Sequence, residues 1–176
     1  MPSVRTALDQ QLAPAPAIDL NRMADAERRI AAIDLSMVKV KLMDSEEGLG
    51  WTPSFADLVE TRYRRFLCMV FVHGDESIVP TKDIDAFWHQ HILDTRAYAA
   101  DCNAVFGAFV HHYPYFGMNG PADEEDLRES FSFTQDVYRR MFGEDYLGCG
   151  QTNARCCKKC GSKCGSSKCH HPRLTT

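Results

Sequence analysis

Asp-Ala-Phe-Trp-His-Gln-His, residues 85 to 91, places a carboxylate and two imidazoles within two helical turns, and a second imidazole pair follows at His111 and His112. Imidazole, carboxylate and thiolate are the side chains that zinc, iron and copper sites use, so this stretch can build a transition-metal centre without selecting the metal. Each helical residue advances about 100°, which sets His89 and His91 roughly 200° apart. The two cannot grip one ion together from a regular helix. His91 shares its face with Ile84, Phe87, Trp88, Asp94, Thr95, Tyr98 and Cys102, a mixture of large apolar anchors and potential ligands. His89 falls beside Asp85, Leu93 and Arg96, where an Asp–His pair four residues apart is favourable and a surface histidine is the simplest reading.

The expected body site is therefore His91 with Asp94 or with neighbours on the Asp85 side, joined by His111 or His112. Gly107 can kink the chain, and Pro114 pushes Tyr113 out of helical geometry, so the segment can turn back toward the first helix. Cys102 is three turns from His91, which suits it to packing rather than to the same ion. The structural alternative makes His91 a core histidine bonded to Asp94 or to a tyrosine. A Cys102–His nucleophile is a third option, disfavoured because the charge on Asp101 opposes a thiolate.

A second ligand-dense run closes the chain. Cys156, Cys157, Cys160, Cys164 and Cys169 precede His170 and His171, and Cys157-x-x-Cys160 has the spacing of half a zinc knuckle. Four thiolates on one Zn²⁺ leave a net charge of about −2, which Lys158, Lys159, Lys163 and Lys168 would offset while lowering the thiol pKa values. Zinc or another transition metal is the expected cofactor of both regions. A disulfide-bonded, redox-active or enzymatically modified tail is the competing reading. Cys68, within an apolar run, reads as a small core residue.

These residues need a scaffold, and apolar periodicity near 3.6 supplies one from Ile18 to Phe142, with no period-2 strand. The fold class is all-α: a compact bundle of about five helices, residues 18–146, between a disordered leader (1–17) and a Cys/Lys/Gly/Ser-rich tail (147–176). The first helical stretch has a possible break near Asp34-Leu35-Ser36 and ends at "SEEGLG". Thr52 and Pro53 start the next helix and Thr81 the histidine-bearing one. "NGPADEED" supplies a turn and an acidic first turn.

Composition bounds the function. The 176 residues fit one domain with tails. The segment from Cys149 holds six Lys or Arg and no acid, leaving 14 basic and 24 acidic residues before it. An acidic body argues against nucleic-acid binding, apart from weak contacts by the basic tail. No stretch approaches the ~20 apolar residues of a membrane span, and the N-terminus lacks an apolar signal core. A cytoplasmic location is expected, with reduced thiols. Phosphate loops, dinucleotide fingerprints and serine elbows are absent. A metal-dependent protein competes with an adaptor that binds an unknown protein or peptide through the Trp/His helix and "HHYPYF".

"VPTKDIDAFWHQHILDTRAYAADCNAVFGAFVHHYPYFG", with the earlier "DLSMVKVKLMD", "GLGW" and "YRRFL", closely resembles the glycine-rich domain-containing protein-like family over roughly Ile18 to Phe142. The resemblance assigns Asp85, Trp88, His89, His91, Asp94, Tyr98, Asp101, Cys102, His112 and Pro114 to the family motif. It implies fold and membership and supplies no reaction. Longer plant members append a glycine-rich region; this chain resembles a short, bacterial-type member carrying the Cys-rich tail instead.

Overall fold

A computed structural model describes residues 18–74 and 78–146. Regular structure among them is entirely helical: α1 Leu20–Ala31, α2 Ser36–Met43, α3 Pro53–His73, α4 Lys82–Leu93, α5 Thr95–Phe106 and α6 Pro121–Phe142. The expected leader and tail lie outside the described residues.

The long helix α3 is the axis of the bundle, touching α1, α2 and α4. Its start is written in sequence: the Thr52 hydroxyl accepts from the Phe55 amide at 3.3 Å, and Pro53 occupies the first turn, where its missing N–H costs nothing. Val59, Tyr63, Phe66 and Met69 are fully buried along it. Their spacing of three and four residues makes one continuous stripe. Ile30 of α1, Leu35 just before α2 and Leu42 within it close the core, with Ile84 and Phe87 from α4 and Val137 and Tyr138 from α6.

The first stretch does break, between Ala31 and Ser36. Arg64 of α3 stabilises that break by donating to the carbonyls of Ile30 (2.5 Å) and Ile33 (3.0 Å) at the end of α1. The turn after α2 needs glycine. A Cβ on Gly48 would sit 1.9 Å from the Lys41 carbonyl, and Gly50 has φ +60°.

One expectation is corrected. The sequence reads as a single helix through the histidines to Cys102, but α4 stops at Leu93. Asp94 leaves helical geometry (φ −81°, ψ 72°), and its carboxylate accepts from the Ala97 amide at 3.3 Å to cap α5. Aspartate competes well for this role because its short side chain satisfies an amide that the new helix leaves free. The described residues hold six helices. The break swings α5 back across α4, and the site depends on that turn.

Candidate metal centre

The face of α4 that carries His89 meets the segment returning from α5. Gly107, left-handed at φ 73°, ends α5, and the chain then runs back over Asp85 and His89. His112 Nε2 lies 2.8 Å from Asp85 Oδ1 and 3.2 Å from His89 Nε2, and His89 Nε2 lies 3.7 Å from the same carboxylate oxygen. Three ligand atoms thus converge within 4.8 Å, the one such cluster of His, Cys, Asp and Glu among the described residues. Three lone-pair-bearing atoms facing one another are tolerable only with a proton or a cation among them. The His112 side chain is 14% exposed and that of His89 52%, so the cluster is walled on one side and open on the other.

The wall is aromatic. Trp88 packs edge-on against the His112 ring, with centroids 4.6 Å apart. Its indole N–H donates to the Tyr98 hydroxyl at 2.9 Å, and that hydroxyl donates to the Val110 carbonyl at 2.6 Å. This buried relay fixes the backbone two residues before His112. Burial raises the Tyr98 pKa above the ordinary tyrosine range, so the hydroxyl keeps the proton it donates. Trp88 is buried with Ile84 and Tyr98, as its helical face predicts.

His91 is elsewhere. Its Nδ1 lies 3.0 Å from the Tyr63 hydroxyl and its Nε2 3.0 Å from Asp101 Oδ2. An ionised Asp101 requires the proton on Nε2, which leaves Nδ1 to accept from Tyr63. Burial holds the His91 pKa below its usual value, against the opposing pull of Asp101. Burial likewise drives the Tyr63 pKa well above its usual range. Both ring nitrogens are engaged, so His91 matches the core-histidine reading. The expected carboxylate partner, Asp94, caps α5 instead, and the break at Asp94 is what delivers Asp101.

The expected grouping of His91 and Asp94 with His112 is thus not what the fold brings together; Asp85 and His89 take those places. Their i, i+4 spacing was visible in the sequence, but the exposed face disguised it as a surface ion pair. His111 is exposed, its ring 4.9 Å from Phe109. Cys102 is buried with a free thiol. Burial pushes the Cys68 thiol up to about 12, an inert core group. Cys156, Cys157, Cys160, Cys164, Cys169, His170 and His171 lie outside the described residues. No helix among the described residues is long and apolar enough to cross a membrane.

A family model described as UCP032817-like matches residues 30–138. The chain is also similar to two Arabidopsis thaliana proteins. It is 30% identical over 96 residues to Glycine-rich domain-containing protein 2 and 29% identical over 93 residues to Glycine-rich domain-containing protein 1. Those alignments cover 52% and 51% of this chain but only 12% and 11% of the relatives, so the chain corresponds to a small part of their length. No solved structure matches the chain.

Proposed function

The chain belongs to the UCP032817-like family, with glycine-rich domain-containing relatives, and within it we propose a metal-binding helical protein that holds one divalent transition-metal ion at Asp85, His89 and His112. The convergence of the three ligand atoms carries this reading. Zinc–nitrogen bonds of about 2.0–2.1 Å at tetrahedral angles put neighbouring ligand atoms about 3.3 Å apart. The observed separations of 2.8, 3.2 and 3.7 Å bracket that edge. An ion entering here would replace the His112–Asp85 hydrogen bond and need only a few tenths of an ångström of adjustment by side chains. Two imidazoles with one carboxylate suit zinc and its first-row neighbours better than magnesium or calcium, which favour all-oxygen shells.

Elemental analysis of the full-length protein after equilibration with Zn²⁺ tests the reading. His89→Ala and His112→Ala are each expected to retain one ion per chain fewer than the unsubstituted protein, and His91→Ala the same number. Equal zinc in all four proteins would end the proposal.

A further inference from the structure

The Asp85–His89–His112 centre is supported from one side. Trp88 packs edge-on against the His112 ring, and the Tyr98 hydroxyl, bonded to the Val110 carbonyl, fixes the backbone behind it. Side-chain exposure then rises from His112 through Asp85, at 34%, to the half-exposed His89. An ion held by these three ligand atoms would be backed by aromatic packing and would face solvent past His89. Structural zinc sites are closed by four protein ligands, whereas catalytic ones take three and give the fourth position to water or substrate. Two histidines with one carboxylate is a set that catalytic sites use.

Charge decides what enters the fourth position. A dication with ionised Asp85 and two neutral imidazoles carries one net positive charge, which stabilises a hydroxide. Water on protein-held zinc loses its proton near neutral pH, about two pH units below water on the aqueous ion. That raises the hydroxide available at pH 7 by more than about tenfold. The charge of the surrounding chain decides what this hydroxide can attack. The chain before Cys149 holds 24 acids against 14 bases, a balance that repels phosphodiesters and other anions but not uncharged acyl compounds.

Resting on the metal-binding reading above, we propose that the centre is hydrolytic: zinc on Asp85, His89 and His112 presents hydroxide to small, uncharged carboxylic esters arriving from solvent. The bound water gives one proton to solvent, and its oxygen bonds to the acyl carbon. The carbon–oxygen bond to the alcohol then breaks, and the departing alkoxide takes the remaining hydroxyl proton. The carboxylate leaves the ion and a new water replaces it.

Steady-state hydrolysis of 4-nitrophenyl acetate by the full-length chain, with bound zinc counted in the same samples, tests this. Release beyond one equivalent per cysteine and histidine separates turnover from acylation of side chains such as the exposed His111. The zinc-loaded chain is expected to turn over at least about tenfold faster than an equal concentration of aqueous Zn²⁺. His89→Ala, at a half-exposed side chain, and the nearly isosteric Asp85→Asn should each lose that gain. Zinc bound through His89 with turnover no faster than the aqueous ion would overturn the inference and leave the three-ligand centre standing. Zinc-dependent turnover that both substitutions leave unchanged would place the chemistry elsewhere and overturn it as well. Equal zinc in all three proteins would remove the centre itself, and the inference with it.

Discussion

His89 and His91 are two residues apart and do opposite work. His91 is enclosed by Tyr63, Tyr98 and Asp101, with both ring nitrogens hydrogen-bonded. Removing its ring leaves a buried phenol without its partner and a carboxylate short of one. His91→Ala is therefore expected to cost about 2–4 kcal/mol in urea unfolding, at about 1–3 kcal/mol per unsatisfied buried group, without changing zinc content. His89→Ala should shift stability by less than about 0.5 kcal/mol, as exposed substitutions usually do, and should lose the ion. A pH signature separates them further. Burial lowers the folded-state pKa of His91, so below the ordinary histidine value of about 6.5 the unfolded chain binds the extra proton first. Its contribution is complete above that pH and is lost as pH falls toward the folded-state value. His73, also lowered by burial, adds in the same direction. His91→Gln should therefore reduce the steepness of stability loss below about pH 6.5 without abolishing it. An unchanged slope would mean that His91 takes no part in it.

At the scale of elements, the decisive feature is the interruption at Asp94. Caps, prolines and apolar periods made most of the bundle legible: the Thr52-Pro53 start, the break before Ser36, the acidic first turn of α6 and the buried Trp88 all follow from local chemistry. The turn at Asp94 has weaker signals, because "HILDTRAY" keeps helical periodicity through the break and carries neither glycine nor proline. Missing that turn hides Asp101 from His91. Tyr63, 28 residues away on α3, is not visible from local pattern at all. The same limit applies to the Asp85–His89–His112 cluster: periodicity pairs Asp85 with His89, but only the path of the chain after Gly107 brings in His112 and not His111. That path hangs on the Tyr98 hydroxyl, which joins the Trp88 indole to the Val110 carbonyl. Tyr98→Phe leaves both unpaired in the core. It is expected to cost about 2–4 kcal/mol and to weaken zinc binding about tenfold, the lower end of what supporting groups around metal ligands contribute. Isothermal titration with Zn²⁺ reads the second effect directly, and an unaltered affinity would show that His112 is held by its ring contacts alone.

Over the whole molecule, an acidic stretch that holds the described helices precedes a basic, cysteine-rich one, and Tyr146 is the last described residue. This residue is fully buried against Phe131 and Tyr138, and its hydroxyl and carbonyl bind Val79 and Arg62. Beyond it only Leu147 and Leu174 are large aliphatic side chains. The boundary of the folded body is expected to be sharp at this point. With metal removed by chelation, a chain ending at Gly148 should unfold cooperatively within about 0.5 kcal/mol of the full chain, because it loses almost no apolar surface. A chain ending at Asp145 should lose about 3–5 kcal/mol, the usual cost of deleting a buried aromatic. Adding Zn²⁺ should then stabilise the full chain and the one ending at Gly148 alike, since both carry Asp85, His89 and His112. Ligand linkage stabilises whichever chain binds more tightly by RT ln(1 + [L]/Kd), about 1.4 kcal/mol for each tenfold difference in affinity at saturating metal. Denaturation of the three chains, each with chelator and with zinc, checks the boundary and the linkage together. A zinc-induced gain in the full chain that the chain ending at Gly148 lacks would mean that Asp85, His89 and His112 do not hold the ion by themselves.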